Sequence, residues 1–248
     1  MLEKLIAKKT TKDALSCLIL GEAGVGKTSA AIHSPDPWIL DLEGGAKRYG
    51  SNQVKRVDGQ TFKWSELVAV LDLIAKENQG MKTLIIDSAD YASQILHQHI
   101  VDEFNIDIKK DTLNSAGKGF GHAADVQAQL WRRDLVQRLN VILQKGVHVI
   151  VICHVEVKTT RKINSGEHDK AVPRLPKKLA PMLTEWAEFI GYLDIETTTG
   201  EDGSASATHQ RVMHLDASPG FTCKNRFGLT EPLINPTFND ILHITGLQ

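Results

Sequence analysis

The chain has 248 residues, 42% hydrophobic and 24% charged, which excludes a disordered, collagenous or fibrous protein and allows one large domain or two small ones. Lysine plus arginine (29) almost balance aspartate plus glutamate (30), so any nucleic-acid surface has to be a local patch. Cys17, Cys153 and Cys223 are too few for a disulfide framework and fit no metal-site spacing, which points to a reducing cytoplasm.

The polar, Lys-rich stretch 1–14 reads as an N-terminal arm, without the apolar core and small-residue cleavage site of a signal peptide. The longest apolar run, near 147–155, is interrupted by His148 and His154 and is too short to cross a bilayer. From residue 15 onward, strand and helix patterns alternate. Residues 15–20 (LSCLIL) form a buried strand ending at Gly21, with a helix over 27–32 and a second strand over 38–42. Trp64, Leu67, Leu71 and Ile74 make one helical stripe, and Trp131, Leu135, Leu139 and Ile142 make another. Arg132, Arg133 and Arg138 lie off the second stripe and read as a solvated helix face. Residues 82–87 (KTLIID) and 147–153 (VHVIVIC) are further apolar strands. Continuous apolar strands between amphipathic helices predict an α/β fold, a mostly parallel central sheet with helices on both faces. Residues 187–197, 209–214 and 220–226 look like strands joined by turns, with a hairpin turn at 200–204, an antiparallel C-terminal extension of the same domain or a small second unit. With no linker between the two styles, one domain over 15–248 is expected.

Gly21-Glu22-Ala23-Gly24-Val25-Gly26-Lys27-Thr28 fits G-x-x-x-x-G-K-[ST] at every fixed position, a pattern that arises by chance in about 1% of chains of this size. A strand precedes it and a helix follows, as a phosphate cradle requires. The glycines let backbone N–H groups curl around a β-phosphate, and the helix N-terminus adds its partial positive charge. Lys27 reaches the β- and γ-phosphates, the Thr28 hydroxyl suits Mg²⁺, and Ser29 closes the candidate nucleotide set. Asp87 ends the strand TLIID, where ligands bind in open α/β sheets, and would hold Mg²⁺ as a Walker B acid does; its alternative role is in the cap of the next helix, with Ser88 and Asp90. No N-K-x-D guanine-recognition motif occurs, so ATP is expected rather than GTP. Glu43, in the element DLEGG (41–45) after the second strand, is the candidate general base for the water that attacks the γ-phosphate, against the alternative of an ordinary acid in a surface turn.

The succession GEAGVGKTS, WILDLEGGAKR, TLIIDSAD and VICHVEVK resembles the RecA-like recombinase core, and among its members the compact phage ATP-binding proteins linked to single-strand annealing and recombination. The resemblance runs from about residue 15 to about residue 244. It implies a RecA-like P-loop NTPase in which Glu43 is the catalytic glutamate, and His154, where glutamine is usual, senses the γ-phosphate. It also implies that Lys224-Asn225-Arg226 stands for the K-N-K-like element that reaches a neighbouring subunit's ATP, so that Lys224 and Arg226 act in trans. A head-to-tail ring or filament, single-stranded DNA as ligand and, as a further partner, a single-strand-binding protein belong to the same expectation. If the chain is phage-encoded, the compartment is the host cytoplasm.

Cores of this kind bind single strands through two loops. One match is the Gly-rich segment 114–122, where Lys118 would contact phosphate and Phe120 would stack on bases, unless the ring folds back onto the core. The other is 156–178, where Lys158, Arg161, Lys162, Lys170, Arg174, Lys177 and Lys178 outnumber Glu156, Glu167 and Asp169. Its plain alternative is a solvated, mobile loop. Two other functions stay open: a small-molecule P-loop kinase with 156–178 as a phosphate-covering lid, and a non-enzymatic ATP-gated scaffold for replication or repair proteins.

Overall fold

Strands of unbroken apolar sequence need cover on both faces, and the central strands of this protein have it. The computed structural model describes residues 14–116, 119–162, 166–199, 205–216 and 218–247. The strands are β1 (Ser16–Gly21), β2 (Pro37–Asp41), β3 (Lys55–Asp58), β4 (Thr83–Asp87), β5 (His148–Lys162), β6 (Gly166–Pro173), β7 (Phe189–Thr199), β8 (Ala205–His214), β9 (Lys224–Asn225) and β10 (Leu233–Ile234). Six of them run parallel, in the order β7-β1-β5-β4-β2-β3. β8 pairs antiparallel with β7 and β10 with β8, while β9 pairs antiparallel with the start of β7. The C-terminal strands therefore extend the one sheet.

Alternation along β1 divides the core. Leu18 and Leu20 face one apolar cluster, and Cys17 and Ile19 face the other. The first cluster is covered by α2 (Trp64–Lys76), α3 (Ala89–Glu103), α4 (His122–Leu130), a π-helical turn (Trp131–Val136), α5 (Gln137–Gln144) and α6 (Ala180–Trp186). The second is covered by α1 (Lys27–Ile32) and α7 (Phe238–Thr245). Both predicted stripes are buried: Trp64, Leu67, Leu71 and Ile74 on α2, and Trp131, Leu135, Leu139 and Ile142 across the π-turn and α5. Trp64 stacks on Trp131 with ring centroids 6.4 Å apart. All three cysteines are free and buried.

Several expectations need correction. Much of the segment 156–178 is strand and not loop: β5 leaves the central sheet and forms an antiparallel hairpin with β6, from Val155↔Pro173 to Lys162↔Gly166, and only 174–178 of the described residues there are irregular. Of the strand expected over 220–226 only Lys224–Asn225 forms, and beyond it α7, which no expectation covered, is capped by Thr237, whose side chain accepts from the Asp240 N–H, and buries Phe238, Ile241 and Leu242. Arg133 and Arg138 are not a purely solvated face, because both pair with the buried Asp134, and Arg138 also ties α5 to Asp72 of α2. The arm expected at 1–14 (apart from the buried Ala14), the turn 200–204 and Lys118 lie outside the described residues. No helix among the described residues is long and apolar enough to cross a membrane.

Candidate nucleotide site

Parallel pairing sets the carboxyl ends of β1, β5, β4 and β2 side by side. Gly21 lies opposite His154, Asp87 opposite Ile152, and Asp41 opposite Asp87. Sequence elements more than a hundred residues apart thus share one edge, the edge where open α/β sheets bind ligands.

The loop 21–28 rises from that edge. Glu22, Ala23 and Gly24 form its exposed crest, while Val25 turns inward into the core. Gly21 is required by close approach, since a Cβ there would meet the Leu193 carbonyl oxygen at 2.3 Å. Gly26, the cap of α1, has φ of 101°, which an L side chain rarely adopts, and the Arg211 side chain packs against it while donating to the Val25 carbonyl at 2.9 Å. Lys27 is buried, and its Nζ donates to the carbonyls of Gly21 (3.0 Å) and Glu22 (2.6 Å). Burial pulls its ammonium below the ordinary lysine range, against the opposing pull of Asp87, Glu43 and Asp90. A buried ammonium under a crest of backbone amides is a site that gains from an anion. Ser29 is tied through its hydroxyl to that of Tyr49 at 2.7 Å.

The Thr28 hydroxyl donates to Asp87 Oδ2 at 2.8 Å. Asp87 is buried, and burial is the main reason its carboxyl is pushed up to about 6, with Glu43 and Asp41 adding repulsion and the Thr28 hydroxyl and Lys27 working the other way. Hydroxyl plus carboxylate is a hard-oxygen pair suited to Mg²⁺, so these residues fit the ion. Thr28 and Asp87 would hold it, and it would neutralise phosphate charge.

Glu43 follows β2 in a tightly specified turn. The N–H groups of Leu42 and Glu43 both donate to the Asp87 carbonyl, at 2.7 and 3.2 Å. Buried Asp41 takes the Gly44 N–H at 2.7 Å and the Ala46 N–H at 3.2 Å. Gln60 donates to the Glu43 carbonyl at 3.0 Å. The Glu43 side chain is left partly exposed beside the loop, with Oε2 3.9 Å from His154 Nε2.

Asp90, in the first turn of α3, is 1% exposed. It receives the Ser88 hydroxyl (2.8 Å), the His154 backbone N–H (3.2 Å), the His154 ring Nδ1 (3.1 Å) and the Arg174 guanidinium. Burial alone would raise its carboxyl, but the donors from His154, Arg174 and Ser88 outweigh that and hold it well below the usual carboxylate range. The sequence had offered Asp90 only a capping role and Arg174 only a phosphate contact; the structure puts Arg174 on Asp90. The signal for Asp90 was the tetrad D-S-A-D itself, whereas for Arg174 nothing local pointed to it.

The remaining candidates spread out. Lys158 and Lys170 lie directly across from each other on one face of the hairpin, with Lys158 also on Glu156 at 2.7 Å. Arg161 lies opposite Glu167 on the other face, and Lys162 ends β5. Lys178 pairs with Asp125 of α4. Phe120 is fully exposed at 105%, with φ of 53° between Gly119 and Gly121 at 72° and 78°, so its ring does not fold onto the core. Lys224 and Arg226 sit beside the first residues of β7, at the opposite end of the sheet from the loop. There Lys224 Nζ donates to the Thr184 and Glu185 carbonyls at the end of α6, and Arg226 lies 3.7 Å from Glu188.

The AAA domain family matches residues 13–227. No curated protein matches the chain. Since that match takes in most of the sequence, including the whole of the edge described above, the chain belongs to the AAA domain family and is a P-loop nucleotide-binding ATPase.

Proposed function

We propose that this protein is a Mg²⁺-dependent ATPase of RecA-like type that binds single-stranded DNA, assembles head to tail and acts in phage-type recombination or single-strand annealing. The observation that carries the proposal is the alignment of the loop, Asp87, Glu43 and His154 on one sheet edge, with β5 placing His154 between the loop strand and the Asp87 strand. ATP lies on the loop amides and Lys27. Glu43 takes a proton from the attacking water, with His154 beside it.

Two surfaces support the nucleic-acid part. A fully exposed phenyl ring at Phe120 is a stacking platform held away from the core. The hairpin that continues the His154 strand sets Lys158 opposite Lys170, a like-charge pair that a phosphate relieves. Assembly rests on the resemblance: Lys224 and Arg226 lie at the far end of the sheet from their own loop, so a contact with ATP would have to be with a neighbour's. Salt-titrated binding of a labelled oligonucleotide, with and without ATP, tests the proposal. Salt-sensitive, ATP-strengthened binding and DNA-stimulated turnover are expected. ATP-dependent assembly without DNA affinity would leave a scaffold.

One cavity favours a second reading. A pocket of about 480 Å³ borders Glu43 and is lined by Gln60, Phe62, Trp64, Tyr91 and Gln94 among others. A P-loop kinase would place its acceptor there, with Glu43 drawing the proton from a substrate hydroxyl. Transfer of γ-phosphate to a metabolite, instead of release as inorganic phosphate, would select this reading.

A further inference from the structure

We propose that Asp90 and Arg174 are positioning residues of the hydrolysis site. They fix His154 with its proton on Nδ1, so that Nε2 faces Glu43 as the acceptor for the proton Glu43 has taken from water. The inference rests on Glu43 as general base and deepens that reading.

The geometry puts a proton on Nδ1. Asp90 Oδ1 receives the Ser88 hydroxyl and the His154 backbone N–H, and Oδ2 receives Arg174 and the ring Nδ1. An acceptor-only group is the one side chain that satisfies four converging donors, and Arg174 keeps it so by pairing with the charge. Nδ1 must then be the ring donor. Nε2 is the free ring atom, 3.9 Å from Glu43 Oε2, a gap that a turn of the Glu43 side chain or one bridging water closes.

The step balances. An O–H bond of the attacking water breaks as its proton passes to Glu43. The oxygen forms the new bond to the γ-phosphorus as the bond to the β-bridging oxygen breaks, and ADP leaves with that electron pair. Glu43 then gives the proton to Nε2 and returns to a carboxylate, while the imidazolium is held between Asp90 and Glu43. Solvent takes the proton afterwards.

Asp90→Asn provides the sharpest perturbation. If the amide oxygen stays on the His154 N–H and Ser88, the amide NH₂ faces Arg174 and Nδ1, two positions that need an acceptor opposite them. The ring then moves its proton to Nε2, where it can take nothing from Glu43. Loss of such a carboxylate costs roughly 10²–10⁴-fold in kcat where the tautomer matters.

The test uses the full chain with ¹⁵N-labelled histidine. Long-range ¹H–¹⁵N spectra should show His154 as the Nδ1–H form in the wild type and the Nε2–H form in Asp90→Asn. Turnover should fall by roughly 10²–10⁴-fold in Asp90→Asn with KM for ATP within about threefold. Arg174→Lys should retain more turnover than Arg174→Ala. A wild-type spectrum dominated by the Nε2–H form or by the doubly protonated ring overturns the proposal even if Asp90→Asn does not fold. So does an Asp90→Asn protein that is folded and turns over at the wild-type rate. If Glu43→Gln hydrolyses ATP normally while the wild-type ring is Nδ1–H, it is the general-base reading that fails, and the positioning of His154 stands as structure without a role in catalysis.

Discussion

Replacing Asp87 with asparagine should make the nucleotide-free protein more stable and abolish Mg²⁺-dependent nucleotide binding. Asp87 is buried, and its carboxyl is pushed up to about 6 from an ordinary value of 3.8, chiefly by that burial. Because the folded value lies above the unfolded one, the native state binds more protons between about pH 4 and pH 6, and stability falls as pH rises through that window. At pH 7.5 the two-unit shift corresponds to a cost of about 3 kcal/mol, at 1.36 kcal/mol per unit. An uncharged amide at this position would carry no such cost and can still accept from Thr28. The variant should therefore melt higher at pH 7.5, by at most roughly 6–12 °C for a domain of this size. The difference should shrink as the pH falls below 6 and vanish near 4. Thermal melts of both proteins without nucleotide at pH 7.5 and 4.5 measure it. A variant that melts lower at pH 7.5, or a difference that does not change with pH, would refute the reasoning. In the wild type the same proton competes with the cation, so Mg-ATP affinity should drop about tenfold per unit below pH 6.

Other predictions follow from exposure and charge. Phe120→Ala should leave stability within about 0.5 kcal/mol, because the ring is fully exposed, yet weaken single-stranded DNA binding by about 1–3 kcal/mol in fluorescence anisotropy. Removing Lys158 and Lys170 together should flatten the log K against log salt slope by about 1.4, at about 0.7 per phosphate contact on a single strand; an unchanged slope would take the hairpin out of the interface. Lys224→Ala with Arg226→Ala should lower steady-state turnover while the monomer still binds nucleotide. Turnover that is unaffected and independent of protein concentration would remove the trans role.

The legible parts of the sequence are those whose physics is local or strictly periodic. The loop 21–28 needs glycines at fixed positions, so it announces itself, and the stripe on α2 follows from a 3.6-residue period, while the second runs at 4, 4 and 3 across the π-turn into α5. The TLIID strand is apolar because both its faces are covered. What escaped was set by tertiary pairing. The hairpin of β5 and β6 carries mixed charge with little alternation, because much of it is exposed, so it read as a loop. Arg174 looked like one more cation of a basic stretch, since its partner Asp90 lies 84 residues away. Thr237 and Asp240 form a readable cap, with Phe238, Ile241 and Leu242 at helical spacing, but the helix has only 8 residues, too few for its period to stand out. Phe120 could be placed on a loop, yet only the folded backbone, left-handed at this residue, turns its ring to solvent.

The most direct measurement of the central claim is a paired assay on Glu43→Gln, with nucleotide affinity from a fluorescent ATP analogue and turnover from phosphate release. The Glu43 side chain stands beside the loop and makes no hydrogen bond among the described residues, and its backbone contacts survive the change. The account predicts affinity within a factor of about three and turnover lowered by roughly 10²–10⁴. Turnover at the wild-type rate with nucleotide bound would contradict it.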